Sequence, residues 1–136
     1  MKNAISFFSV IFFMGCQGTA YEEELVADYS LRAIDVKSGM SVYYMDEEYL
    51  IGIVQSTVFA VGHNDEFIIA KQHPEDFPEI DKSITNYFII PLKDKVGRSA
   101  EKNVIGPMSK ENFERKRVEL NIPESLTFTR VFKDLE

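Results

Sequence analysis

The side chains able to do chemistry are few and scattered. Two histidines, His63 and His73, lie ten residues apart. That separation matches no spacing used by zinc ligands, so each is expected to be structural or solvent-exposed. The acids Glu75, Asp76, Glu79 and Asp81 crowd a stretch that also holds Pro74, Phe77 and Pro78. Carboxylates at this density can take a calcium ion. The stretch lacks the Asp-x-Asp-x-Asp-Gly order of a calcium loop, which favours a solvated acidic loop. Phe77 among those acids either offers a contact surface or folds back over the sheet. Arg115-Lys116-Arg117 is a basic run on a helical stretch, where such runs form a solvated face. Tyr29, Tyr43, Tyr44, Tyr49, Phe59 and Phe67 are strand-packing residues that would otherwise line a pocket. No Gly-x-Ser-x-Gly elbow is present, and Gly62, Gly97 and Gly106 stand alone, unlike a phosphate loop. No catalytic, metal-ligating or cofactor-binding residue is assigned.

The one cysteine is Cys16, which excludes an internal disulfide and the multi-cysteine zinc modules. It follows Lys2, the 11-residue run Ala4–Met14, and Gly15. A membrane-spanning helix needs about 20 apolar residues, whereas the core of a secretory signal needs roughly 7–15. Residues 1–15 therefore read as a signal peptide. Gly15-Cys16 after such a run resembles the lipobox of bacterial lipoproteins, although Phe13 and Met14 depart from the residues that motif prefers. The resemblance implies lipid attachment at Cys16: a diacylglyceryl group on the thiol, cleavage between Gly15 and Cys16, and acylation of the new amino group by a fatty chain such as palmitate. Several chains on one residue anchor stably where one is marginal. Gln17 stands where an aspartate often retains such proteins at an inner membrane. That favours the outer membrane in a Gram-negative host, and otherwise an extracytoplasmic face.

The elements that follow fit one domain. The chain has 136 residues, 45% hydrophobic, with a net charge of −7. The apolar fraction suits a folded chain, and the acidity argues against nucleic acid as a partner. Residues 16–27 read as lipidated cysteine and tether, in which Glu22, Glu23 and Glu24 would hold the fold away from an anionic surface. Residues 28–136 read as a single α+β domain. Its antiparallel sheet of about 5–7 strands carries one helix in the C-terminal half.

Tyr29–Ala33, Met40–Met45 and Tyr49–Val54 are strand-like, with Gly52 a candidate bulge. Val58–Val61 and Phe67–Ala70 flank a turn of Gly62-His63-Asn64-Asp65-Glu66. Ile84–Ile90 is apolar on both faces over its second half, which predicts a central strand covered on both sides. Residues 93–103 read as a polar loop. Ser109 is a good N-cap for a helix over Lys110–Leu120, with Phe113, Arg117 and Leu120 on one face and Val118 beside them. Asn121 and Pro123 end it. Beyond it, Leu126, Phe128, Arg130 and Phe132 share a strand face.

Three stretches together resemble a family of small bacterial lipoproteins known as domain of unknown function 3997. They are Ala27-Asp28-Tyr29-Ser30; Asn64–Lys71 with Tyr87-Phe88-Ile89-Ile90; and Gly106–Phe113 with Leu120-Asn121-Ile122-Pro123. The family has no assigned activity, so no functional residue carries over.

The expected function is a non-enzymatic, membrane-anchored binding domain of the cell envelope, its partners the membrane itself, through the lipid, and an envelope protein. Two alternatives remain open. One is an inhibitor or immunity-type protein against a basic cell-wall hydrolase or toxin. The other is a small carboxylate-dependent hydrolase, which needs two acids about 5–10 Å apart in a pocket.

Overall fold

The computed structural model describes residues 18–76, 79–93 and 97–136. Two antiparallel sheets stack face to face, and a helix covers the outer face of the second. The first sheet has the order β1-β2-β3-β4, formed by β1 (Tyr21–Glu24), β2 (Tyr29–Ala33), β3 (Ser41–Asp46) and β4 (Tyr49–Val54). The second contains β5 (Val58–His63), β6 (Phe67–Gln72), β9 (Asn86–Pro91), β10 (Ile105–Met108) and the short β11 (Arg130–Val131), in the order β10-β9-β6-β5-β11. Between them in sequence, β7 (Glu75–Asp76) and β8 (Glu79–Ile80) form a separate two-stranded ribbon. The α+β class is as expected, but the strands divide among three sheets where the pattern predicted one.

Alternation places Leu31, Ala33, Val42 and Val54 of the first sheet against Val58, Ile68, Ala70 and Ile90 of the second, all buried. The opposite face of the second sheet presents Phe67, Ile69, Tyr87 and Ile89 to Phe113, Ile122 and Leu126. The second sheet is therefore apolar on both faces, as the run at Ile84–Ile90 predicts, and β9 lies between β10 and β6. The expected bulge by Gly52 is present: Val42 pairs with Val54 but Tyr43 pairs with Gly52, leaving Ile53 as the extra residue.

The helix α1 (Lys110–Glu119) forms for local reasons. The Ser109 hydroxyl accepts from the Asn112 amide at 3.2 Å, satisfying one of the first free donors. At the other end Asn121 adopts φ 54°. Its amide donates to Val118 O, and the Ile122 amide reaches back to Arg117 O at 2.9 Å. These two bonds are a Schellman cap. The buried stripe is narrow. Phe113 is 1% exposed, Arg117 and Leu120 are half-buried, but Val118 is 78% exposed. Val118 lies five residues beyond Phe113, about 140° around the helix at 3.6 residues per turn, and so misses the sheet it was expected to face.

Four further expectations are corrected. Tyr21–Glu24, read as tether, is a strand paired in register with β2 from Tyr21↔Ala33 to Glu24↔Ser30. Gly62, read as a turn residue, is buried inside β5, because the backbone of Thr127 crosses it and a Cβ there would overlap the Thr127 carbonyl oxygen. The turn is made by Asn64, whose side-chain oxygen accepts from the amides of Glu66 and Phe67 at 2.8 Å each. The 93–103 loop contains 3-10 turns over Gly97–Asn103 and buries Ala100. Leu126, Phe128 and Phe132 turn inward as expected but Arg130 is exposed, and the segment pairs only at Arg130 and Val131, because the preceding residues pass over the second sheet rather than beside it.

Candidate functional site

Cys16 and Phe77 lie outside the described residues. Three arrangements bring polar side chains together elsewhere.

The first joins the first and the last of the described strands. Glu23 on β1 accepts from Arg130 Nη2 on β11 at 2.8 Å, and also from the Tyr21 hydroxyl. Tyr21 in turn sets its ring edge-on to Phe132, centroids 5.1 Å apart. The Arg130 hydrogen bond holds the Glu23 carboxyl below its ordinary value. The Tyr21 hydroxyl and the charges of Arg130 and His63 add to that, and desolvation opposes it. Burial, and then the bond to Glu23, push the Tyr21 hydroxyl up. An acid fixed as anion and a phenol fixed as neutral are poor proton carriers near neutrality. Chemically the cluster is a fastener: it ties the first strand of one sheet to the last strand of the other.

The second is a buried polar cluster where both sheets meet. Thr57 donates to Ser38 O at 2.5 Å, Gln72 Nε2 to Gln55 O at 2.8 Å, and Asn86 Nδ2 to Gln72 Oε1 at 3.0 Å. His73, 3% exposed, stacks on Phe59 with centroids 4.1 Å apart. A carbonyl only accepts, so Nδ1–H donates to Ile84 O at 2.8 Å. Its Nε2 has no hydrogen-bond partner among the described residues. Of the two histidines, then, His63 is exposed and His73 is an interior residue. The rule that a residue before proline is extended gave His73's backbone but not its burial.

Two clefts form the third. One, of about 420 Å³, lies between β4 and the 3-10 turns and is lined by Tyr49, Leu50, Ile51 and Glu101. The other, of about 320 Å³, brings Glu114 and Glu124 beside Arg117, Val118 and Ile122. It holds two carboxylates and no aromatic among the described residues that line it. Arg117 is engaged structurally: its Nη2 donates to Pro123 O at 2.8 Å and Leu126 O at 2.7 Å, fastening the helix to the following segment. Arg115 pairs with Glu111 and Lys116 with Glu119, so the basic run is internally matched.

Of the acids at 75–81, Asp76 lies opposite Glu79 across the β7–β8 ribbon, while Glu75 and Asp81 are held elsewhere. Glu75 accepts from Ser56 at 2.5 Å, while Asp81 accepts from the Ser83 amide and hydroxyl, which hold its carboxyl below the ordinary value. Among the described residues no three histidine, cysteine or acidic side chains are grouped to hold a metal. None of the helices among them is long and apolar enough to cross a membrane.

Fold and surface define a small stacked-sheet domain with one covering helix and polar side chains that fasten its layers together. Residues 26–133 match the family model described as "Protein of unknown function (DUF3997)", and the chain belongs to that family. No curated protein and no solved structure matches it.

Proposed function

We propose that this chain is a membrane-anchored bacterial lipoprotein whose stacked-sheet domain binds another component of the cell envelope without catalysing a reaction. The observation that carries the anchor is in the sequence: Gly15-Cys16 directly after an 11-residue apolar run. The binding reading is supported by how the polar side chains are used: Glu23 and Arg130 tie β1 to β11, and Arg117 ties the helix to the segment after it. The mainly apolar cleft at Tyr49, Leu50 and Ile51 is the place that suits a partner's side chain.

The test is Cys16→Ser in a bacterial host. The wild type is expected in the membrane fraction and the variant outside it. Equal membrane association of the two overturns the anchor. Cross-linking of the anchored wild type then reads the binding role. An envelope protein captured by the wild type and lost on Ile51→Asp supports it, and capture unaffected by that change removes the cleft from the account.

The hydrolase reading has one foothold, the Glu114 and Glu124 carboxylates sharing a cleft. Glycoside hydrolysis by the wild type, abolished in Glu114→Gln, would favour it over the binding role.

A further inference from the structure

The strand β1 begins far earlier than a dozen-residue tether allows. The Ala20 amide donates to Ala33 O at 2.8 Å, and Tyr21 is already in register with Ala33. Only Cys16, Gln17, Gly18 and Thr19 separate a lipid on Cys16 from the sheet. A chain spans at most about 3.3–3.6 Å per residue, so Ala20 lies within about 14 Å of the attachment point. The acids once assigned to the spacer are inside the fold, where Glu22 pairs with Arg32 at 3.1 Å and Glu23 with Arg130.

That reach fixes which end of the domain meets the bilayer. β1 runs away from the attachment point and β2 returns to it, ending at Ala33. The next residues are Ile34, 47% exposed, and Val36, 61% exposed. They stand at the same end as the 3-10 turn Lys37–Gly39 and the C-terminus, since Lys37 pairs with Asp134 at 2.7 Å and also lies over the Phe132 ring that Tyr21 touches.

We infer that this end docks on the lipid surface, with Ile34 and Val36 entering the interfacial zone of the membrane that carries the anchor. The inference rests on lipid attachment at Cys16. Asp35 between the two apolar side chains keeps the insertion shallow, at headgroup level, because a carboxylate is costly deeper. Charge selects the surface. Lys37 is neutralised by Asp134, and Lys82 is turned onto the carbonyls of Asp134 and Glu136. Glu75 stands at this end because it accepts from Ser56, next to the Thr57 that bonds Ser38 O; exposed Asp35, Glu75, Asp76 and Glu136 outweigh the exposed cation Lys133. The lipid that fits is therefore zwitterionic, since an anionic leaflet repels this end.

The experiment uses the full chain, expressed in a bacterial host, purified with its lipid and reconstituted in phosphatidylcholine vesicles with brominated acyl chains. Acylation of Cys16 makes Val36→Cys the sole free thiol, available to an environment-sensitive fluorophore. Ile34→Cys repeats the measurement one strand-end closer, and Asp65→Cys places the probe on the β5–β6 hairpin at the opposite end. The expected result is quenching at positions 34 and 36 several-fold above that at 65, weakened when anionic lipid is added. Equal quenching at both ends, with the lipid mass present on Cys16, overturns the docking and leaves the anchor standing. A free thiol at Cys16, seen as a second label, overturns the anchor and the docking with it.

Discussion

The two stacked sheets are built from different sequence patterns and carry different burdens. The second is covered on both faces, by the first sheet on one side and by α1 with the segment after it on the other. Its central strands are near-continuous apolar runs, Phe67–Ala70 and Tyr87–Ile90, with every residue buried. The first sheet is covered on one face only. Its strands are more polar, and across β1 and β2 the exposed Glu22 pairs with Arg32, which also donates to the buried Ser30. Doubly buried strands supply the stability. The half-exposed sheet has a face left over for the outside, and it is the sheet to which the N-terminal segment joins.

The largest test of this division is Phe113→Ala. Phe113 fills the layer between α1 and the second sheet, its ring 4.9 Å from that of Tyr87. Truncating a buried phenylalanine costs about 3–5 kcal/mol, read as a lower denaturant midpoint. A loss under about 1 kcal/mol would mean that the helix layer contributes little. Next comes Gly62→Ala. A methyl group cannot fit under the Thr127 carbonyl, and the obstacle is backbone rather than a movable side chain. The expected cost is about 3 kcal/mol, the upper range for overpacking. An unchanged midpoint would show that the 122–129 segment is not held against β5.

The smallest effect belongs to the first sheet. Glu23→Gln weakens one partly exposed ion pair and should cost less than about 1 kcal/mol. Its signature is a pH dependence. The folded-state value of Glu23 is lowered, chiefly by Arg130, so its contribution is complete above the ordinary glutamate value and is lost as pH falls through the folded one. Wild type and variant should therefore converge in stability on acidification and differ at neutral pH. A gap that widens in acid would contradict the pairing. Amide exchange sharpens the same contrast. β6 and β9 should exchange only through global unfolding, and β1, an edge strand, through local opening.

What was legible in the sequence follows from range. β2 appears where alternation puts it and β4 where a run of strand-forming residues does, because both signals are local. So are the Ser109 cap and the Asn121 stop, each a contact within a few residues. The double cover of β9 was legible because burial on both faces needs an unbroken apolar run.

β1 was not. Tyr21-Glu22-Glu23-Glu24 has no apolar alternation of its own, and Arg130, which binds Glu23, lies 107 residues away. Gly62 sat beside turn-forming residues, and nothing local marks the crossing of Thr127 above it. Val118 was placed by residue type, whereas its angle on the helix sets its exposure. His73 was hidden for a similar reason: Phe59 and Ile84, which bury and bond it, come from other strands and loops. No signal in the 75–81 acids revealed that Ser56 and Ser83 bind them separately.

In the proposed anchored form the first sheet hangs from a lipid on Cys16, four residues before Ala20. The most direct test is the mass of the N-terminal peptide of the protein extracted from host membranes. The predicted result is a peptide beginning at Cys16 and carrying a diacylglyceryl group with an N-acyl chain. A peptide with an unmodified Cys16 thiol, or a mature N-terminus at another residue, would contradict it.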